Sequence, residues 1–376
     1  MIIILSIILK VNIIHIDIDQ FFKILFMISI IMIKFKLRFF ILRFKKIKDL
    51  KMLKKSIIAL ILLSLTNLSA VEKLEKLVLS GPVASVSHPL IHMVKTRALN
   101  DIAKKVEFKL WKNPDELRAL TLKNRADFIA IPTNVGANLY NKGVKIKLLN
   151  VSVWGILGMV TRDKTLKKLA DFKGKEIAMP FRADMPDILF EEIVKAQGMD
   201  PKKDFKLKYM SNPFDAMQNL ILRQVDHALL AEPAISIALK KTGSYPLKII
   251  APDLYRSVDL QEEWRKTFNV EAKIPQAGMA VIGEMISNKE VVRRFNEEYQ
   301  KSLNWYKNNA KEAAKMVIEE IPMLDEEGVE KSIQHVQLNV VKAQDAKKDL
   351  EFFYQLLESN NPKTIGGKLP TENFYF

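Results

Sequence analysis

From residue 74 onward, short apolar runs alternate with amphipathic stretches of helical spacing. The pattern predicts strands at residues 77–80, 106–111 and 127–132, and helices at 88–104, from 113 onward and at 134–140. Asn113 followed by Pro114 is typical of a helix start, because Asn caps the helix and proline suits its first turn. This alternation predicts an α/β fold with a mostly parallel sheet that helices cover on both faces.

A second cycle of the same kind begins near residue 169. It predicts strands at 176–179, 205–209, 227–231 and 247–250, and helices at 186–197, 213–223 and 233–241. One more strand is expected at 278–282, and a helical remainder to about residue 359. The late strand indicates a return to the first sheet. We therefore predict two lobes, one from residues 71–158 and 276–376 and one from 159–275, with crossings near 158–163 and 270–278.

In open parallel sheets, ligands bind beyond the carboxyl ends of the strands. Small residues there let the backbone approach a ligand, and a helix start offers N–H groups to an anion. The same residue types are also ordinary helix caps, Arg182 and Asp184 also fit a surface ion pair, and His88 fits either a base or a loop residue. The candidate ligand-binding residues are Gly81, Pro82, Ser87, His88, Thr133, Asn134, Trp154, Gly155, Arg182, Asp184, Asn212 and Glu232.

These candidates fit a small solute that is either anionic or planar. Hydroxyl and amide groups at helix starts, together with Arg182, would hold a sulfonate or carboxylate. Trp154 would form an apolar wall, on which an aromatic ring such as a pyrimidine could stack. The residues leave both classes open, and no spacing of histidines or other ligands predicts a metal or a cofactor.

Three stretches resemble a known family. Residues 171–175 (DFKGK), 216–225 and 227–233 (HALLAEP), with residues 123–128 (KNRADF) in the first cycle, are similar to solute-binding proteins of ABC importers. The match is to the nitrate, taurine, aliphatic-sulfonate and thiamine-precursor group, the NMT1/THI5-like proteins. The resemblance implies a two-lobed periplasmic-binding-protein type II fold, a small-molecule solute and an ABC transporter permease in the inner membrane as partner.

Two other interpretations of the function remain open beside a solute-binding protein. The same two-lobed fold occurs in cytoplasmic enzymes that act on small carboxylates, and in ligand-sensing modules of membrane receptors. One branch of the family makes a pyrimidine at a Cys-rich iron site, and this chain contains no cysteine. We therefore expect a binding protein and not an enzyme.

The segment that starts at Met52 has the three parts of a secretory signal peptide. Lys54 and Lys55 form a basic head, an apolar run follows to residue 65, and residues 68–70 (LSA) form a small-residue cleavage site. Residues 1–51 lack Gly, Ala, Pro and Glu, and lysines interrupt their apolar runs before spanning length. We interpret residues 1–51 as a mis-called extension and 52–70 as the signal peptide of a periplasmic protein without a lipid anchor.

The charge of the chain does not indicate a nucleic-acid partner. Its formal net charge is +16, but residues 1–51 with Lys54 and Lys55 account for nine of those positive charges. In the remainder, basic and acidic residues alternate, whereas a nucleic-acid-binding surface needs a clustered basic stripe. Without disulfides, the protein depends on its hydrophobic core, and we expect a monomer.

Overall fold

The computed structural model describes residues 73–250 and 253–376, so the predicted extension and signal peptide lie outside the described residues. Twelve strands are present among these residues. In chain order they are β1 Leu77–Pro82, β2 Val106–Trp111, β3 Phe128–Pro132, β4 Ile146–Leu148, β5 Asn150–Gly155, β6 Leu157–Thr161, β7 Glu176–Pro180, β8 Lys206–Met210, β9 His227–Ala231, β10 Tyr255–Asp259, β11 Ala277–Ile282 and β12 Gln337–Lys342.

Twelve α-helices are described between and after the strands. They are α1 His88–Lys95, α2 Pro114–Leu122, α3 Thr133–Asn141, α4 Met185–Ala196, α5 Pro213–Ile221, α6 Ala234–Gly243, α7 Leu247–Ile250, α8 Leu260–Phe268, α9 Lys289–Asn308, α10 Ala310–Glu320, α11 Glu326–Ser332 and α12 Lys347–Asn360. In the part of the chain that the structure describes, no helix is long and apolar enough to cross a membrane.

The strands form two sheets, and each sheet contains one strand with parallel partners on both sides. The first sheet runs β12-β5-β11-β3-β1-β2, with β4 also on β11, and the second runs β10-β6-β9-β7-β8. In each sheet a central strand, β1 or β7, has a parallel partner on both sides. The predicted α/β fold with two helix-flanked sheets is confirmed. Each sheet is mixed and not mostly parallel, because β11 and β6 run antiparallel to their neighbours where the chain passes between sheets.

The chain crosses between the sheets earlier than the sequence pattern predicts. β5 ends at Gly155 in the first sheet and β6 begins at Leu157 in the second, so Ile156 is the crossing, not residues 158–163. The crossing near 158–163 was predicted from the return of the strand at 278–282, and that return does not fix where the chain first leaves the first sheet. The chain returns through residues 269–276, which separate α8 from β11.

Three predictions of secondary structure were wrong. The helix predicted at 88–104 ends at Lys95, and turns follow it. Residues 247–250 form the helical turn α7 and no strand, since Lys248 N–H bonds to Ser244 O and Ile249 N–H to Pro246 O. A four-residue run of this kind fits either structure. The C-terminal region is not wholly helical, because β12 pairs antiparallel with β5 and completes the first sheet.

Buried side chains of both sheets belong to shared core clusters. Trp154 of β5 and Met159 of β6 share one cluster with Trp264 of α8 and Tyr354 of α12. The C-terminal helix α11 also packs on α6 beside the second sheet, where Lys240 Nζ lies 2.7 Å from Asp325 Oδ2. The segments after β11 therefore contact elements of both sheets and hold the strand ends in place.

Candidate functional site

A cavity of about 280 Å³ lies where the carboxyl ends of strands from both sheets approach each other. β1, β2 and β3 contribute from the first sheet, and β9 with the segments after β7 and β8 from the second. This is the edge at which open parallel sheets bind ligands. The lining residues at strand ends include Pro82, Trp111, Pro132, Phe181, Asn212 and Ala231.

Most of the cavity wall is apolar. Trp111 and Phe214 contribute aromatic rings, while Leu117, Ile131 and Ile156 contribute aliphatic surface. The exposed side chain of Met323, from the loop between α10 and α11, also lines the cavity. A wall of this composition favours a ligand with a substantial apolar surface, with a few polar groups that set its orientation.

Three of the helix starts at the cavity already use their own N–H groups. The Asn113 side chain accepts a hydrogen bond from Glu116 N–H, and Asp184 accepts one from Met185 N–H. Asn212 accepts two, from Phe214 and Asp215. Pro114, Pro186 and Pro213 in the first turns have no N–H to offer. These three helix starts therefore lack the row of free donors that holds a sulfonate or nitrate, whereas α3 and α6 begin at the cavity without a side-chain cap.

Glu232 forms a buried ion pair in the wall of the cavity. Its side chain is 1 % exposed, its Oε1 lies 2.5 Å from Arg256 Nη1, and its Oε2 accepts a hydrogen bond from Ser236 N–H. Burial raises the pKa of Glu232, and the Arg256 guanidinium partly offsets this effect. Both carboxylate oxygens are engaged within the protein, so this carboxylate shapes the wall and holds α6 in place.

Asp184 is the second carboxylate at the cavity, and its two oxygens have different neighbours. Besides capping α4, its Oδ2 lies 3.8 Å from Arg118 Nη2 of α2, which belongs to the first sheet's side. Burial raises the pKa of Asp184, while the Met185 N–H and Arg118 lower it. Lys112 is the cation that lines the cavity, and its side chain is exposed.

Gln276 is the polar side chain at the cavity that stands apart from the others. It is 2 % exposed, and among the described residues neither its Oε1 nor its Nε2 has a hydrogen-bond partner. Its backbone is fixed on both sides: the N–H bonds to Val153 O at 3.1 Å, and the carbonyl accepts from Thr133 N–H at 3.1 Å. The backbone of Gln276 is thus held at the cavity wall, and its side chain amide is a buried donor and acceptor without a partner among the described residues.

Four of the twelve predicted site residues line the cavity: Pro82, Asp184, Asn212 and Glu232. The prediction placed Trp154 there as an apolar wall, which the structure corrects. Trp154 is buried in the shared core, its Nε1 donates to Asn339 O, and Lys273 lies over its ring. Alternation along β5 explains the difference, because Val153 faces the cavity and its neighbour faces away.

Arg182 and His88 also lie outside the cavity lining. The Arg182 guanidinium lies 5.2 Å from the centre of the Tyr209 ring, so it neither faces the cavity nor pairs with Asp184. His88 is fully buried, and its Nδ1 lies 2.8 Å from Tyr306 Oη. Burial lowers the pKa of His88 to about 3. An imidazole with so low a pKa is a weak proton acceptor, and His88 lies outside the cavity lining, so the structure does not place it as a base.

The remaining predicted residues stabilise turns and close contacts. Ser87 Oγ donates to Pro82 O, and a Cβ on Gly81 would lie 2.2 Å from that same Oγ. Thr133 Oγ1 donates to Pro275 O, while Asn134 is buried outside the lining. A Cβ on Gly155 would lie 2.5 Å from Gln261 Cγ. Their small side chains and hydroxyls serve packing and turn geometry, the structural alternative that the sequence left open.

The lining residues that the sequence did not single out are mainly apolar, with Gln276 and Lys112 the polar exceptions. Phe181 directly follows β7, and Phe214 is the second residue of α5. Both therefore lie at the predicted edge of the sheet, and their positions in the sequence could have marked them as lining residues. Gln276 precedes β11 and lies at its amino end, where the rule about carboxyl ends gives no indication. Met323 comes from a loop that is remote in sequence, and no local pattern places it at the cavity.

Comparisons with known proteins give a family match over part of the chain, and a fold. Residues 156–313 match the family model described as NMT1/THI5 like. Among curated proteins, none matches the sequence. An ABC transporter structure from Parabacteroides distasonis is similar at 25% identity and a TM-score of 0.65, over 81% of this chain and 99% of the other.

Two further structures share the fold at lower identity. The periplasmic aliphatic sulphonate-binding protein SsuA from Escherichia coli has a TM-score of 0.58 at 14% identity, over 78% of this chain and 96% of SsuA. The periplasmic nitrate-binding protein NrtA from Synechocystis PCC 6803 has 0.60 at 15%, over 80% and 87%. The predicted resemblance is confirmed: the chain matches the NMT1/THI5-like family over residues 156–313 and has the fold of ABC transporter solute-binding proteins.

Proposed function

We propose that this protein captures a small, planar and uncharged organic solute in the cavity between its two sheets and delivers it to an ABC-type importer. The observation that carries the proposal is the apolar cavity of about 280 Å³ at the carboxyl ends of strands from both sheets. Proteins of the same fold include one named for sulphonate binding and one for nitrate binding.

The cavity favours a planar solute over an anionic one. Three of its helix starts are capped by Asn113, Asp184 and Asn212, and their first turns contain proline. The two carboxylates of the wall already have Arg256 and Arg118 beside them, so neither arginine is free to hold an anion. Trp111 and Phe214 instead offer ring surfaces against which a flat, apolar solute can pack.

The proposed lobes, export signal and partner are those that the sequence predicts. Residues 71–158 and 276–376 form one lobe, residues 159–275 the other, and residues 52–70 direct export to the periplasm. A permease in the inner membrane is the partner of the loaded monomer. We propose no catalysis, because His88 is buried away from the cavity and both oxygens of Glu232 are engaged within the protein.

The test is to identify what the protein binds and where. Native mass spectrometry of the protein purified from its own cells identifies any solute that co-purifies, and calorimetric titration with uncharged heteroaromatics, alkanesulfonates, nitrate and carboxylates ranks the classes. We expect heteroaromatics to bind most tightly. Tighter binding of nitrate or a sulfonate would overturn the choice of solute class.

A pair of cavity variants tests the location. Ala231→Trp places a large ring in the cavity, and we expect it to abolish binding of the best ligand. Gln334→Trp is the matched control, since Gln334 is exposed and lines a different cavity on the far side of the crossing at Ile156. Equal affinity of Ala231→Trp and the parent would show that the solute binds elsewhere.

A further inference from the structure

We infer that Gln276 is the specificity-determining residue of the cavity and that it selects solutes with an amide-type edge, a hydrogen-bond donor next to an acceptor. This inference rests on the proposed function and names the chemistry of the solute. It is carried by a buried amide that lines the cavity and has no partner among the described residues.

The first step is the state of the Gln276 amide. A buried polar group without a hydrogen bond destabilises the folded protein, so nearly all such groups are paired. Gln276 is 2 % exposed, yet both polar atoms of its side chain lack a partner in the described part of the chain. A ligand that pairs with both atoms removes this destabilisation, and one that lacks either group leaves it in place.

The second step is geometry. The Gln276 backbone is held by Val153 O on one side and by Thr133 N–H on the other, so the amide has a fixed origin. The donor Nε2 and the acceptor Oε1 lie in one plane, as in any carboxamide. The complementary ligand edge is therefore planar and carries an acceptor beside a donor, as in a carboxamide, an aminopyrimidine or a pyrimidinone.

The third step is charge. A carboxylate or sulfonate offers acceptors only and would satisfy Nε2 while opposing Oε1. An ammonium offers donors only. The neighbouring ring surfaces of Trp111 and Phe214 suit an uncharged flat body behind that edge. Sites built to hydrogen-bond a ligand reject analogues without the matching group far more strongly than apolar pockets reject a missing methylene.

A second buried glutamine supplies the matched control. Gln261 is 3 % exposed and lines the other cavity, but its Nε2 donates to Asp259 Oδ1 at 2.9 Å and to Leu157 O at 3.3 Å. Replacing either glutamine by methionine keeps the length of the side chain and removes the amide. We expect Gln261→Met to lower the melting temperature and Gln276→Met to leave it unchanged or raise it, because only Gln261 loses hydrogen bonds within the protein.

The binding test uses four probes of similar size, titrated calorimetrically into the parent, Gln276→Met, Gln261→Met and Ala231→Trp. Benzamide and 4-aminopyrimidine carry the donor–acceptor edge, acetophenone carries only the acceptor, and benzoate is charged. We expect the first two to bind the parent most tightly. Gln276→Met should weaken them about tenfold or more and weaken acetophenone less, because acetophenone loses only the hydrogen bond from Nε2, while Gln261→Met keeps the parent's order.

The outcomes separate this inference from the proposed function. If Ala231→Trp abolishes binding while Gln276→Met binds benzamide as tightly as the parent, the cavity is the binding site and the role of Gln276 is refuted. If Ala231→Trp binds like the parent, the proposed function fails at its location. Three other results also overturn the inference. Acetophenone or benzoate could bind as tightly as benzamide, or neither edge-bearing probe could bind. Gln276→Met could also lower the melting temperature as much as Gln261→Met does.

Discussion

Two neighbouring cavities have nearly equal volumes, about 280 and 300 Å³, and share the wall residues Ile156, Leu157 and Glu232. Each has a buried glutamine in its wall. Gln261 in the second cavity is hydrogen-bonded to Asp259 and Leu157, whereas Gln276 in the first has no partner among the described residues. Cavity volume alone therefore does not distinguish a ligand site from a structural gap.

The difference lies in how the polar groups are satisfied. In the second cavity Arg256 donates to Ser236 Oγ, and Ser257 donates to Leu166 O. These groups pair within the protein and hold the crossing between the sheets. In the first cavity an apolar wall surrounds an amide without a partner among the described residues. This difference is why we propose the first cavity, and not the second, as the ligand site.

The largest expected effect comes from the shared wall. Arg256→Met leaves the Glu232 carboxylate buried without its cation, and removal of one partner of a buried ion pair destabilises a protein by about 3–5 kcal/mol. Because the Arg256 side chain is 33% exposed, we expect the lower end, about 3 kcal/mol, in the free energy of unfolding from urea denaturation.

The double variant Arg256→Met/Glu232→Gln is the control for that prediction. It removes the uncompensated charge, so it should recover most of the lost stability. The loss in Arg256→Met alone should also shrink in acid, where Glu232 takes up a proton. A loss below about 1 kcal/mol, typical of exposed pairs, would show that the pair does not stabilise the shared wall.

His88 sharpens the comparison, because its Nε2 is also buried and without a partner in the described residues but lies at neither cavity. The folded protein keeps this imidazole neutral down to a pKa of about 3, whereas the unfolded chain protonates near 6.5. A lowered histidine pKa means that stability falls as the pH drops below 6.5, by about 1.4 kcal/mol per pH unit.

His88→Gln removes this titration and keeps a partner for Tyr306. Between pH 7 and pH 5, we expect the parent to lose about 2 kcal/mol more than the variant in its free energy of unfolding. Both proteins should bind the same solute with equal affinity at pH 7. Parallel stability curves in acid would contradict a neutral buried His88, and weakened binding would bring His88 back to the site.

The edge of the sheets at which the cavity lies was predictable from the sequence. Strand alternation and the family resemblance together indicate which turns meet, and Pro82, Asp184, Asn212 and Glu232 do line the cavity. The direction of side chains at that edge was not predictable. One step along β5 separates Val153 at the cavity from Trp154 in the core, and a helix start looks the same whether its cap faces a ligand or its own N–H groups.

Residues that enter from distant segments were also beyond the sequence pattern. Gln276 reaches the cavity because the chain returns to the first sheet as β11, and Met323 because α11 packs on α6. These positions depend on tertiary packing and not on local periodicity. The proposal of an uncharged solute likewise required the hydrogen-bond partners of Asn113, Asp184 and Asn212, which only the structure gives.

The smallest expected effect is at the mouth of the first cavity, where Arg118 lies 3.8 Å from Asp184 across the two sheets' sides. The Arg118 side chain is 42% exposed, so solvent screens the pair and its contribution to stability is about 0.5 kcal/mol or less. Arg118→Gln should therefore unfold at nearly the parent's urea midpoint at low salt and at the same midpoint at high salt. Arg125→Gln, an exposed arginine after α2 that does not line the cavity, is the control. A loss of stability in Arg118→Gln that persists at high salt would mean that the aliphatic part of the Arg118 side chain packs at the cavity mouth. Packing, and not the charge pair with Asp184, would then link the two sides of the cavity.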